Sequence, residues 1–191
     1  MNKWIATAAL ILTLLAGGKT PASDTILAST QAPTFWHLGL VVDDLDTMDR
    51  FYSEVIGLDR VADLLVEDAG ASSGNENAIV VGSLDALMGI DGTRIEIRQY
   101  SDQQHQRFFE LLHYPDHPAE AITRSASSPL GLSHVGFSVH AIDAVLERMK
   151  QLGLGKLISG PQALAEFGGL RYAFLTDPEG NVVELMERKS Q

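Results

Sequence analysis

Two stretches of the chain repeat each other at residue types that can hold a metal ion. The ten residues that begin at His37 align without a gap on the ten that begin at His134, 97 positions later, and both copies keep His, Gly, the apolar positions and a final Asp. Residues 91–97 align on residues 179–185 in the same way, and each of these stretches carries a Glu at its sixth position, Glu96 and Glu184. Imidazole nitrogen and carboxylate oxygen suit Zn, Ni, Co, Mn or Fe. The predicted ligands of one divalent ion are His37, Glu96, His134 and Glu184.

Each of these residues also has a simpler structural explanation when it is taken alone. A single His on a strand is more often a hydrogen-bonded core or surface residue than a ligand. Glu96 lies between Arg94 and Arg98, on the side of a strand opposite Ile95 and Ile97, which is typical of a solvated face. The matched positions in both copies favour metal binding, because chance rarely places His and Glu at equivalent points of two halves.

The elements that must position these residues follow the same order twice. A strand at 35–42 precedes a helix that begins after Asp43 or Asp44 and ends at Gly57, and strands follow at 60–66, 78–81 and 94–100. In the second half a strand at 134–140 precedes a helix that ends at Gly153, with strands at 156–158, 171–176 and 181–187. The sequence therefore predicts an α+β fold of two tandem βαβββ modules.

Composition shifts divide the chain into five segments. A short basic start, an apolar run of 13 residues and a small-residue exit predict a secretory signal peptide at 1–22; an uncleaved anchor is the alternative. The other predicted segments are a flexible tether at 23–33, module one at 34–100, an inter-module arm at 101–131 and module two at 132–188. The arm contains a short helix around 103–113 in this interpretation. The mature protein is expected to be periplasmic or secreted.

Charge and composition exclude several classes of partner. The chain has 191 residues, 45% hydrophobic and 20% charged, as expected of a globular protein, and no cysteine for a disulfide or a lipid. Removal of residues 1–22 leaves 12 basic against 25 acidic residues, a net charge of −13. No basic run with aromatics and no basic amphipathic helix is present, so neither nucleic acid nor a membrane surface is an expected partner.

Other polar residues are weaker candidates for a site. Three histidines lie in the predicted arm among polar neighbours, as an exposed linker would have them: His105, His113 and His117. His140 takes the place of Asp43 in the first copy, which predicts a position near the start of the second helix or facing solvent. Gly168 and Gly169 lack a following helix signal and do not make a phosphate loop.

The pattern resembles the vicinal oxygen chelate superfamily, which includes glyoxalases, bleomycin-resistance proteins and extradiol dioxygenases. The similarity runs from about Phe35 to Arg188 and depends on residues 37–45, Phe51-Tyr52, Gly57-Leu58 and residues 177–185. The resemblance implies paired modules that form a cup-shaped mixed sheet around a metal ion. Four filled ligand positions make the chain most similar to the glyoxalase I and epimerase branch.

That branch implies an isomerase or lyase acting on a small oxygen-chelating substrate. In that branch the ion stabilises an enediolate and a Glu beside it moves the proton, and the resemblance implies this role first for Glu184 and second for Glu96. Enzymes of this branch that use glutathione usually carry Arg four residues after the first ligand and Asn four after the second. Here those positions hold Val41 and Tyr100, so the substrate is not expected to be linked to glutathione.

Two other functions remain open at this point. The first is an Fe(II) extradiol-type dioxygenase, with His37, His134 and Glu184 as the iron ligands and Glu96 as a bystander. The second is a non-catalytic protein that binds a small molecule, as bleomycin-resistance members do. The resemblance also allows a homodimer, because superfamily members often exchange modules between chains.

Overall fold

The structure is a computed structural model that describes residues 35–71, 73–89, 91–101, 107–117, 132–165 and 169–187. Residues 36–191 form one compact unit. The predicted signal peptide at 1–22 and tether at 23–33 lie outside the described residues, as does His105. Within the described ranges, no helix has the length and apolar character needed to cross a membrane.

The first module begins with the strand that follows His37. Its elements are β1 (Leu38–Val41), α1 (Leu45–Arg50), β2 (Asp59–Asp68), β3 (Ile79–Val81), α2 (Leu84–Met88), β4 (Arg94–Ser101) and β5 (Arg107–His113). Helix α1 begins where the Asp44 carboxylate accepts a hydrogen bond from the backbone N–H of Thr47 at 3.0 Å. It continues as a π-helical segment, Phe51–Ile56, and ends at Gly57, whose φ of 93° is the left-handed geometry that glycine adopts freely.

The second module repeats this order without the β3–α2 insertion. Its elements are β6 (Val135–Val139), α3 (Ile142–Leu152), β7 (Lys156–Leu164), β8 (Leu170–Thr176) and β9 (Val182–Glu187). Helix α3 ends at Gly153 with a φ of 67°, as the sequence predicts. The sheets run β1-β5-β4-β2-β3 and β6-β9-β8-β7, so the first strand of each module pairs parallel with the last. The predicted α+β fold of two βαβββ modules is confirmed.

The last strand of the first module differs from the sequence prediction. Residues 107–113, where a short helix was expected, form β5, which pairs parallel with β1 and antiparallel with β4. Phe109 and Leu111 alternate into the core, with exposures of 1% and 0%. The strand that closes the module is therefore β5 and not β4, and the first sheet extends beyond the predicted boundary at residue 100 into the predicted arm.

One hydrophobic core lies between the helices and the two sheets. Tyr52 and Phe109 of the first module, and Phe137, Ile142 and Leu185 of the second, all belong to it. The rings of Tyr52 and Phe109 have centroids 4.6 Å apart, and the Phe137 ring lies 6.2 Å from each of them. The modules therefore fold around shared apolar contacts.

Truncation of Phe109 should destabilise the whole unit. We expect Phe109→Ala to lower the free energy of unfolding by about 3–5 kcal/mol, because the lost ring leaves a cavity between β5 and Tyr52. Leu87→Ala is the matched control, since Leu87 is 74% exposed and its loss should change stability by less than about 0.5 kcal/mol. Urea denaturation measures both, and equal stability of the two variants would contradict the shared core.

Candidate functional site

The second module places His134 beside Glu184. Strands β6 and β9 run parallel, with Gly136 opposite Glu184 in the register. Because alternate residues of a strand share a face, His134 lies on the same face as Gly136. Nε2 of His134 is 3.4 Å from Oε2 of Glu184. The sequence prediction that these two residues meet agrees with this geometry.

The first module contains the equivalent pair, with a different Glu. Strands β1 and β5 run parallel, with Gly39 opposite Glu110. Nε2 of His37 is 3.6 Å from Oε2 of Glu110. In both modules the His precedes by two residues a Gly that faces the Glu of the closing strand. Glu110, which the sequence analysis missed, is therefore the counterpart of Glu184.

The structure places Glu96 on the opposite face of the first sheet. Glu96 pairs with His113 in the β4–β5 register, whereas Gln99 pairs with Glu110. The amide of Gln99 donates a hydrogen bond to Oε1 of Glu110 at 2.6 Å, so these two side chains share a face. Glu96 is three residues from Gln99 in a continuous strand and points to the other side. The prediction that Glu96 joins His37 is corrected.

Glu96 lies instead near the start of α1. Arg98, on the same face of β4, donates a hydrogen bond to the Leu45 carbonyl oxygen at 3.0 Å and lies 3.4 Å from the carboxylate of Asp49. A cavity of about 370 Å³ on this side is lined by Asp43, Asp44, Leu45, Asp46, Glu96, Arg98 and His113. The carboxylate of Glu96 therefore belongs to a polar pocket between β4 and the β1–α1 turn.

The spacing within each pair fits two ligands of one ion. Two donors bound to the same Zn²⁺ at about 2.1 Å with a tetrahedral angle lie about 3.4 Å apart. The observed separations of 3.6 and 3.4 Å match this value and exceed an ordinary hydrogen bond. The imidazoles of His37 and His134 are 42% and 39% exposed, and the carboxylates of Glu110 and Glu184 are 15% and 17% exposed. Both pairs are accessible to a ligand from solvent.

Neighbouring groups orient the pairs. Nδ1 of His134 lies 2.9 Å from the Ser133 hydroxyl, which leaves Nε2 directed toward Glu184. Gln99 holds Oε1 of Glu110, which leaves Oε2 directed toward His37. Partners of this kind fix the tautomer and direction of metal-binding side chains.

Gly136 makes room for the carboxylate of Glu184. A Cβ at this position would lie 3.3 Å from Oε2 of Glu184 and 3.3 Å from the methyl group of Met186. A Cβ at Gly39 would lie 2.7 Å from Cδ1 of Leu112, closer than such atoms approach. Gly136 thus keeps the space beside Glu184 open, and Gly39 leaves room for Leu112; the sequence analysis assigned neither role. The donor types, their spacing and this space fit a divalent ion.

The two pairs do not form a single cluster. Within the described ranges, no group of three or more His, Asp, Glu or Cys residues is close enough together to hold an ion. The remaining histidines that the structure describes lie elsewhere. Nδ1 of His113 is 3.2 Å from the Val42 carbonyl oxygen, Nε2 of His117 is 3.1 Å from the Asp91 carbonyl oxygen, and His140 is exposed before α3.

One signal in the sequence could have identified Glu110. Phe109-Glu110-Leu111-Leu112 matches Val183-Glu184-Leu185-Met186, an apolar residue, Glu and two further apolar residues. In both segments the residues flanking Glu face the core, with exposures of 1% or less for Phe109, Leu111, Val183 and Leu185. By contrast, Glu96 is followed by Ile97 and then Arg98, which does not fit that pattern.

Known proteins share this architecture. A glyoxalase family protein from Bacillus cereus is 23% identical, with a TM-score of 0.65, over 84% of this chain and 97% of that one. The trypanothione-dependent glyoxalase I of Leishmania major is 17% identical, with a TM-score of 0.52, over 83% and 88% of the two chains. These identities support a common fold and no more. No curated protein matches the chain.

The family assignment comes from a sequence match that covers nearly all of the described residues. Residues 34–185 match the model of the Glyoxalase/Bleomycin resistance protein/Dioxygenase superfamily. The duplicated βαβββ modules and the structural neighbours agree with that match. The chain therefore belongs to the glyoxalase/bleomycin resistance protein/dioxygenase superfamily.

Proposed function

We propose that the protein is a divalent-metal-dependent isomerase or lyase that moves a proton next to a carbonyl of a small oxygen-chelating substrate. One observation carries the proposal: His37–Glu110 and His134–Glu184 occupy equivalent register positions, on equivalent faces, in both modules. A single pair offers fewer donors than a stable protein metal site uses. Both pairs together supply two nitrogen and two oxygen ligands.

The proposed ligands are His37, Glu110, His134 and Glu184. A bound Zn, Ni, Co, Mn or Fe ion would act as a Lewis acid that favours loss of a proton beside a carbonyl. Two arrangements would bring both pairs to one ion. In the first, a single chain supplies both pairs; in the second, a partner chain in a homodimer supplies the second pair. The mass of the protein in solution distinguishes these arrangements.

Glu184 is the proposed base. Glu110 is held through Oε1 by Gln99 at 2.6 Å, as suits a fixed ligand. Among the described residues, Glu184 has no comparable side-chain hydrogen bond, and Gly136 leaves space at its Oε2. A carboxylate with such freedom can take a proton from a substrate carbon and return it.

The proposed substrate carries no glutathione. Val41 is half-exposed where glutathione-using enzymes have Arg. With Glu110 as the second ligand, the residue four positions later is Tyr114 and not Tyr100, and it is again not Asn. The net negative charge of the chain also disfavours an anionic tripeptide.

We further propose that the protein is exported to the periplasm or secreted. N-terminal sequencing of the recovered protein tests this proposal, which predicts that the mature chain starts at residue 23.

Proton exchange in D₂O tests the reaction. Metal-loaded protein should exchange deuterium into the carbon next to the carbonyl of a matching small 2-hydroxy or 1,2-dicarbonyl compound, followed by NMR. Glu184→Gln should slow this exchange about 10²–10⁴-fold, since it removes the base. Glu147→Gln is the control, because Glu147 lies exposed on α3 and bonds only to Gln151 in the described chain.

Two results would overturn the proposal. Substrates recovered without deuterium, whatever the metal, would indicate a binding protein. Oxygen uptake with a catechol that depends on Fe(II) would indicate a dioxygenase instead.

A further inference from the structure

A turn of the second module contacts the first module beside its site strand. The turn joins β8 to β9 and contains Asp177 and Glu179. Oε1 of Glu179 accepts hydrogen bonds from the backbone N–H of Asp43 at 2.9 Å and of Asp44 at 2.7 Å. These two residues follow β1 directly, and they are 135 or more positions away in the sequence. One carboxylate oxygen thus connects the two modules through the backbone.

Asp177 fixes the turn from which Glu179 extends. Its Oδ1 accepts from the backbone N–H groups of Glu179 and Asn181 at 3.0 and 2.8 Å. Its Oδ2 accepts from the Asn181 amide at 2.9 Å and from the Tyr52 hydroxyl of the first module at 3.0 Å. Asp177 is only 1% exposed, and burial raises the pKa of its carboxyl while these hydrogen bonds oppose that rise. Four partners therefore hold one buried side chain in one orientation.

The contacted segments lead directly to the proposed metal ligands. Strand β1 ends at Val41, two residues before Asp43, and His37 immediately precedes its start. Strand β9 starts at Val182, three residues after Glu179, and Glu184 is its third residue. A displacement of the turn would therefore move Glu184 relative to His37. The contacts of Glu179 and Asp177 therefore hold the turn before β9 against the end of β1 and against Tyr52.

We propose that Glu179 is a positioning residue, which fixes the orientation of the His37–Glu110 pair relative to the His134–Glu184 pair by holding the start of β9 against the end of β1. This inference rests on the proposed function in assigning both pairs to one ion. Glu179 itself has no role as a ligand or base. Glu179 lies at the surface, where partial desolvation raises the pKa of its carboxyl, while the N–H groups of Asp44 and Asp43 lower that pKa. The two backbone donors thus favour the charged form that accepts both hydrogen bonds.

Spin-label distances measure the proposed connection without any metal. The chain has no cysteine, so Leu87→Cys in the first module and Lys150→Cys in the second give two unique label positions, both exposed. Glu179→Ala should broaden the distribution of label distances, because both backbone hydrogen bonds are lost. Glu179→Gln should restore a narrow distribution, since its amide oxygen can accept from the same N–H groups. Glu147→Ala, on the exposed face of α3, should leave the distribution unchanged.

Metal affinity measured on the same variants tests the positioning role. Calorimetric titration with Co²⁺ should give at least a tenfold weaker Kd for Glu179→Ala and a Kd near the wild-type value for Glu179→Gln. Circular dichroism should show that both variants are folded. A label distribution of Glu179→Ala that superimposes on wild type would overturn the inference, as would an unchanged Co²⁺ Kd. If the wild-type protein binds no Co²⁺, the proposed function fails, and the label distances alone still decide whether Glu179 connects the modules.

Discussion

His134→Ala is expected to abolish the stabilisation of the protein by divalent metal. An ion that binds only the folded state at 100 times its Kd stabilises the wild-type protein by about 2.7 kcal/mol. The metal should not stabilise the variant under the same conditions, because the second module then keeps only the carboxylate of Glu184 as a ligand. Since the imidazole is 39% exposed, the loss in stability without metal should be below about 0.5 kcal/mol. Thermal unfolding with and without Zn²⁺, Ni²⁺ or Co²⁺ measures both quantities.

His140→Ala is the matched control for this prediction. His140 follows β6 and is exposed, so it offers a similar imidazole on the same part of the chain without a neighbouring Glu184. Its variant should retain the full stabilisation by metal. An equal gain in stability for His134→Ala and wild type would show that the metal binds elsewhere.

Glu110→Gln should weaken metal binding strongly, whereas Glu96→Gln should not. Replacement of a residue that only orients a ligand typically costs 10–100-fold in affinity, so loss of a ligand should cost at least about 100-fold. Glu96 lies on the other face of the first sheet, away from the proposed ligands. Glu96→Gln should therefore change the Kd of the metal by less than about twofold, because substitutions at sites without shared contacts act independently. Calorimetric titration of both variants with the same ion measures the difference.

This pair of variants separates the site seen in the structure from the one expected from the sequence. Both substitutions are isosteric and remove one negative charge from neighbouring strands, so long-range electrostatic effects are similar. Loss of metal in Glu96→Gln with retention in Glu110→Gln would reverse the assignment. Equal modest losses would indicate that charge alone matters and that neither residue is a ligand.

The sequence predicted the parts of the fold that depend on local signals. Strand β1, the helix that ends at Gly57, and the helix that ends at Gly153 follow from apolar spacing and glycine stops within short windows. The His37 and His134 positions follow from the gapless repeat. These features agree with the structure because neighbouring residues determine them.

The position of Glu110 depends on strand pairing, which local patterns do not specify. In residues 107–113, Phe108, Leu111 and Leu112 fit a helical spacing, and Phe109 and Leu111 fit a strand. In a window this short the two periods overlap. Only the pairing of β5 with β1 and β4 decides between them, and that register is set across the sheet.

The alignment of Glu96 on Glu184 failed for a related reason. Asp91-Gly92 before β4 resembles Glu179-Gly180 before β9, so the local turn signals match although the strands are not equivalent. The β3–α2 insertion lengthens the path from His37 to the true closing strand, where 73 positions separate His37 from Glu110 and 50 separate His134 from Glu184. The contacts of Glu179 with Asp43 and Asp44 likewise join distant residues and have no local signature.

Elemental analysis of mature protein purified without chelators tests the central claim most directly. If His37, Glu110, His134 and Glu184 share one ion, the protein should contain about one divalent metal per pair of modules, and His134→Ala should contain none. Wild-type protein free of metal after purification, which also fails to bind Zn²⁺, Ni²⁺, Co²⁺, Mn²⁺ or Fe²⁺ on titration, would contradict the proposed metal site and the chemistry that depends on it.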